Sequence, residues 1–349
     1  MGSLGELVED CFGVVRLYSD GSVYRANECD IDFGHYNYNM NTEEMVEKGC
    51  LVEWEDCIFD EQHQLYLRVF KPCFNNKNIT KNNKLPVVYY IHGGGFCLGS
   101  RTWPNCHNYC LRLASQLQAL VIAPDYRLAP EHRLPAAIED GINAVKWLQS
   151  QAKLKQIVNI NNHYSNHQNP SKLLLQDNAV DFEKVYIIGD SSGGNIAHHL
   201  AVCFGYGSPD LSPIRICGYV LLGPFFGGSL RTKSEAEGPP EPILTLDSLD
   251  RFWRLSLPKG EDRDHPIANP FGPYSPNLER VSLDRMLIIV GEKEILKDRV
   301  KEYAKNMKGL GKDITYIEFE GQYHGFYAHN PCSNASNQLS QLIKQFMSC

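Results

Sequence analysis

From Val87 to Phe319, short apolar runs alternate with helix-like segments, and this alternation limits the possible folds more than any other feature of the chain. The strand-like runs are Val87 to Ile91, Ala119 to Ala123, Val185 to Ile188, Gly218 to Leu222, Met286 to Val290 and Ile314 to Phe319. Between and after them lie helix candidates at Cys106 to Leu117, Pro135 to Gln151, Asn195 to Leu200, Lys297 to Met307 and Ala335 to Met347. Strands that alternate with helices build a parallel sheet wrapped by helices, so the fold class is α/β. Two further runs, from Leu51 to Lys71 around Asp60-Glu61-Gln62-His63, read as an opening hairpin and bring the expected sheet to eight strands.

Three stretches fall outside the alternation. Residues 1 to about 45 are polar and mixed. Residues 151 to 181 hold the polar run Asn159 to Asn169, and the segment from about 155 to 178 reads as a flexible surface loop with nothing to bury. Its histidines form no ordered metal pattern. Residues 226 to 275 are an aromatic- and Pro-rich insertion between two strands, placed where a cap over a site can form. The expected organisation is one domain over residues 1–349, with a cap contributed by about 1–45 and 226–275.

Composition excludes several classes. A net charge of -7 without a basic block argues against nucleic-acid binding, and no apolar stretch reaches the roughly 18 residues that span a bilayer. The N-terminal residues lack the positive and apolar regions of a secretory signal, and Glu6 stands where a myristoylation motif requires Ser or Thr. A cytoplasmic location is expected, with the nucleus left open. The twelve cysteines show no disulfide-scaffold spacing. Cys203 and Cys217, in apolar runs, read as reduced buried thiols; Cys106 and Cys110 lack the second pair that zinc needs. No metal and no cofactor are expected, and a homodimer is left open.

The chemistry concentrates in Gly189-Asp190-Ser191-Ser192-Gly193, set between an apolar run and a helix-forming stretch. A strand turning sharply into a helix holds the middle Ser in a strained, exposed conformation, and flanking glycines leave room for the turn. Ser191 is therefore the candidate nucleophile. Upstream, His92-Gly93-Gly94-Gly95-Phe96 follows another apolar run. Backbone N–H groups of Gly93, Gly94 or Gly95, with that of Ser192, could bind the oxyanion of a tetrahedral intermediate.

A serine hydroxyl needs a base, and the base needs an orienting acid. His324, in Gln322-Tyr323-His324-Gly325-Phe326, follows the last strand, where a loop can reach back to Ser191. The other histidines have plainer explanations. For the acid, Glu292, Glu294 and Asp298 compete beyond the run ending at Val290. Glu294 is favoured because it stays in the loop, whereas Asp298 falls in the first turn of a helix, where it complements the dipole.

With these motifs assigned, the chain resembles the hormone-sensitive-lipase-like α/β-hydrolases, in particular the plant carboxylesterases. The resemblance rests on His92 to Phe96, Asp125-Tyr126-Arg127-Leu128-Ala129-Pro130-Glu131-His132, Leu134-Pro135-Ala136-Ala137 and Gly189 to Asn195. It runs from about residue 50 to the end of the chain. Gly99 to Pro104, Gly223 to Gly228 and Phe252 to Pro258 resemble the branch that inactivates strigolactones, which uses Glu where most relatives have Asp. The resemblance implies an ester or lactone substrate, a butenolide joined through an enol ether to a tricyclic lactone, attacked by Ser191 at the butenolide carbonyl. The same family holds gibberellin receptors, which lack the catalytic His, and lyases or cyclases.

Overall fold

The computed structural model describes residues 5–26, 45–48, 50–74, 84–161, 171–175, 179–241 and 244–348. Eight strands form the central sheet: β4 (Cys50–Asp60), β5 (Leu65–Phe74), β6 (Leu85–Ile91), β7 (Leu120–Pro124), β8 (Val180–Asp190), β9 (Ile216–Leu222), β10 (Met286–Gly291) and β11 (Ile314–Phe319), in the order β11-β10-β9-β8-β6-β7-β5-β4. β5 runs antiparallel to both β4 and β7, and every other pairing is parallel. The expected hairpin and the expected strand count are both present.

Successive residues of the central strands enter different cores, as a period of two requires. In β6, Val87, Tyr89 and Ile91 join one buried cluster, and Val88 and Tyr90 join the other. Helices α1 (Pro104–Leu117), α8 (Phe326–His329) and α9 (Asn334–Ser348) cover the second face. On the first face lie α2 (Ala136–Asn161), α4 (Ser192–Phe204), α6 (Leu246–Ser256) and α7 (Lys297–Gly309). Covering both faces is what a mostly parallel sheet demands.

Some expectations are corrected. Helix α2 does not stop at Gln151 but continues to Asn161, and a short α3 (Lys172–Leu175) follows, so the segment from 151 to 181 is not a single loop. It does have something to bury: Ala152, Leu154, Leu173 and Leu174 are in the core. Residues 162–170 and 176–178 of that loop lie outside the described residues. Cys203 is exposed and Cys217 half-buried, so neither is a buried thiol; Cys203 lies on α4 and Cys217 on β9. Cys106 and Cys110 are buried and free.

The polar N-terminal stretch also holds structure that its composition does not announce. β1 (Leu7–Cys11), β2 (Val15–Tyr18) and β3 (Val23–Arg25) form a small antiparallel sheet. Charged side chains anchor it. Arg251 and Arg254 of α6 pair with Glu9, and Arg25 pairs with Glu131 at 2.7 Å. Residues 27–44, also assigned to the cap by sequence, lie outside the described residues. In the insertion after β9, α5 (Lys233–Glu237) and α6 each begin with a Thr capping box. No described helix is long and apolar enough to cross a membrane.

Candidate active site

The loops at the C-terminal ends of β6, β8 and β11 converge on one cavity of about 290 Å³, and the loop after β10 meets the last of them at His324. Open parallel sheets place ligands at these ends. Gly93, Gly94, Gly95, Ser191 and His324 all line the cavity.

Ser191 joins β8 to α4 with φ 54 and ψ -115, a sparsely populated conformation for a residue with a side chain. Its surroundings hold it there. The Ser191 N–H donates to Leu222 O at 2.8 Å, and its carbonyl accepts from Phe225 N at 2.9 Å and Gly194 N at 2.9 Å. The turn closes only because of its glycines: a Cβ on Gly193 would lie 2.1 Å from Ile91 O, and one on Gly189 would lie 2.1 Å from Gly193 O. Phe225 in turn stacks on Trp253 of α6, with ring centroids 4.2 Å apart, which ties the insertion to the elbow.

Ser192 is the first residue of α4, so its N–H has no partner within the helix. The Gly93–Leu98 turn curls on itself: the N–H groups of Cys97 and Leu98 donate to Gly94 O at 3.0 and 2.9 Å. Gly94 has φ +115, and a Cβ there would lie 2.2 Å from Leu98 O. A glycine is therefore required, and among the described residues no backbone carbonyl of the turn accepts from the Gly93, Gly94 or Gly95 N–H. Arg25 locks the turn from outside by donating to Cys97 O and Ala129 O, each at 2.8 Å.

His324 Nδ1 lies 3.0 Å from Glu294 Oε2, and Glu294 is only 2% exposed. The other Glu294 oxygen accepts from Gly291 N at 2.7 Å, which fixes the carboxylate plane. Of the three acids named from sequence, the structure brings only Glu294 to the imidazole. Asp298 sits in the first turn of α7 and accepts from Ser234 N at 2.7 Å, while Glu292 accepts from Gly321 N at 2.8 Å. Among the described residues the Ser191 hydroxyl has no hydrogen bond to His324; such bonds commonly tighten only with substrate in place.

Two more carboxylates surround the imidazole, and sequence reasoning missed both. Asp190 accepts from Tyr327 and, at 3.5 Å, from Tyr90. Glu241, from the insertion, accepts from the backbone N–H groups of Ile295 and His324, so one side chain joins the acid loop to the histidine loop. Its setting, Gly238-Pro239-Pro240-Glu241, carries no catalytic signature, so nothing local points to it. Burial by itself would depress the His324 pKa, but Glu294, Asp190 and Glu241 outweigh it and raise the value to about 9. Burial pushes the Asp190 and Glu241 carboxyls up, and His324 partly offsets this in both. His329, on the same cavity, is driven down to about 4 by burial and by His324. No cluster of metal-ligating side chains occurs among the described residues.

Known proteins share this arrangement of chain. A family model described as alpha/beta hydrolase fold matches residues 88–328, and one described as carboxylesterase family matches residues 35–130. The probable carboxylesterase 6 of Arabidopsis thaliana is 31% identical over 93% of this chain and 85% of its own. The gibberellin receptor GID1C of the same plant is 33% identical over 78% of this chain and 74% of its own. Among solved structures, the hyperthermophilic esterase of the archaeon Pyrobaculum calidifontis superimposes with a TM-score of 0.67 at 28% identity, covering 88% of each chain. The chain belongs to the alpha/beta hydrolase fold family and, within it, to the carboxylesterases, enzymes that hydrolyse carboxylic esters.

Proposed function

We propose that this carboxylesterase is a serine hydrolase in which Ser191 is the nucleophile, His324 the general base and then acid, and Glu294 the orienting carboxylate. The observation that carries the reading is the buried His324–Glu294 pair at 3.0 Å, on the same cavity as a serine held at φ 54. Ser191 Oγ attacks the ester carbonyl while His324 Nε2 accepts its proton. The N–H groups of Ser192 and of the Gly93–Gly95 turn receive the oxyanion. His324 then protonates the leaving oxygen, and an acyl-enzyme remains on Ser191. A water molecule, deprotonated by His324, attacks that ester; the acid departs and Ser191 regains its proton.

The substrate fits the same reading. Phe12 and Val14 from the N-terminal sheet and Leu244 and Phe252 from the insertion line the cavity, so both segments act as its cap. A compact, mainly apolar ester or lactone suits this lining. Resemblance to the strigolactone-cleaving branch makes a butenolide of that type the leading candidate. Mass spectrometry of products from a strigolactone analogue, a short-chain acetate and a methyl ester distinguishes these substrates. Covalent labelling by a fluorophosphonate that disappears in Ser191→Ala supports the triad. Tight ligand binding without labelling or product would instead indicate a receptor, the role named for the GID1C relative.

A further inference from the structure

The polar groups of the cavity have a charge bias that the triad does not require. Among the described lining residues, Asp190 and Glu241 are carboxylates, and none is Lys or Arg. Glu241 is 7% exposed, and although burial raises its carboxyl, the His324 imidazolium and two N–H groups on separate oxygens favour the ionised form. Both Asp190 oxygens likewise accept hydrogen bonds, from Tyr327 and Tyr90. The remaining titratable lining groups supply little opposite charge. His92 and His329 are held neutral by burial, and His324 is already matched by Glu294. Lys293 stands over the Tyr323 ring, 5.5 Å from its centroid, outside the lining set. The walls include four aromatic residues, Phe12, Trp103, Phe252 and Tyr323, a side-chain type that tolerates a nearby cation.

We infer that Glu241 makes this cavity selective by charge: it admits neutral and cationic esters and rejects esters that carry a carboxylate. The inference rests on the esterase reading above and narrows its substrate class. An anionic substrate would leave water to face a buried carboxylate in a cavity whose one imidazolium, His324, is already shared among Glu294, Asp190 and Glu241. That cost falls on the anion alone, so specificity comes from repulsion.

The test uses three acetate esters of para-substituted phenols, bearing a carbomethoxy, a carboxylate or a trimethylammonium group. Each kcat/KM is divided by the rate of hydroxide hydrolysis of the same ester, which removes intrinsic reactivity. The wild type should favour the neutral and cationic esters over the anionic one by more than about tenfold, and Glu241→Gln should narrow that ratio by about tenfold. Glu241→Asp, which keeps the charge, should preserve it. Because Glu241 also braces His324, the glutamine variant is expected to lower every rate; a purely structural role would leave the ratios unchanged. Equal use of the anionic ester by the wild type, or unchanged ratios in Glu241→Gln, would overturn the inference while leaving the esterase reading intact. Failure to turn over any of the three would overturn both. Should Glu241→Gln not fold, the wild-type ratio decides alone.

Discussion

Replacing Glu294 with Gln keeps the volume of the side chain and removes its charge, which makes it the sharpest test of the assigned acid. The two carboxylate oxygens face two donors, Gly291 N at 2.7 Å and His324 Nδ1 at 3.0 Å. An amide has only one oxygen. If that oxygen stays on Gly291 N–H, the NH₂ faces Nδ1, which must then accept, and the imidazole proton moves to Nε2. In that tautomer His324 cannot take the Ser191 proton. The flipped amide instead opposes the Gly291 N–H with its own NH₂ and leaves a buried donor unsatisfied, at about 1–3 kcal/mol. The predominant form is therefore inactive. The tautomer accounts for about 5- to 150-fold and the lost charge opposite the imidazolium for the rest, so we expect kcat to fall by about 10³–10⁴, or about 4–5.5 kcal/mol of transition-state stabilisation, with KM nearly unchanged.

The assay is hydrolysis of a short-chain p-nitrophenyl ester across pH. With the His324 pKa at about 9, wild-type kcat/KM should decline as pH drops below that value, because the protonated imidazole cannot act as base. Loss of the Glu294 charge should move this inflection to lower pH. Asp298→Asn is the control. Its carboxylate serves the N-terminus of α5, so kcat should stay within a fewfold of wild type. A Glu294→Gln enzyme within about tenfold of wild type, beside an inactive Asp298→Asn, would show that Asp298 and not Glu294 orients His324.

Other outcomes follow from the same geometry. Ser191→Ala should abolish turnover to within the residual left by the oxyanion donors, several orders of magnitude below wild type. Gly94→Ala, with φ +115 and a Cβ 2.2 Å from Leu98 O, should displace the oxyanion turn and lower kcat by about 10²–10³, read by steady-state kinetics. Arg25→Ala frees Cys97 O and Ala129 O and leaves Glu131 without its partner; stability should fall by roughly 1.5–3 kcal/mol in urea unfolding, with kcat reduced more than KM rises. The folded His324 pKa of about 9 lies above its unfolded value of 6.5, so the pair's stabilisation is full below pH 6.5 and lost as pH rises through 9. The Tm gap between wild type and Glu294→Gln should thus be widest near pH 6 and narrow toward pH 10, by calorimetry.

The local pattern of the chain determined a good deal by itself. Apolar runs such as Val87 to Ile91 and Met286 to Val290 marked the strands, since only buried segments remain apolar on both faces. The elbow was legible because its backbone tolerates little but glycine at 189 and 193. His324 was legible from its place after β11. What sequence left open was decided by contacts between distant segments. Glu294 and Asp298 are four residues apart and chemically alike; the fold separates them by giving one to His324 and the other to Ser234. Glu241 and Arg25 have no local signature, because their partners lie 83 and 72 residues away. Polar segments misled most: β1 to β3, and α2 beyond Gln151, are held by ion pairs or by a few buried side chains such as Cys11, Val15, Ala152 and Leu154 rather than by a continuous apolar face. Sequence specified the candidate nucleophile and its frame and favoured Glu294 as the acid, whereas the pairing of that acid with His324, the brace on the histidine and the charge of the cavity arose only when the chain closed on itself, since each depends on groups that meet in space and not along the chain.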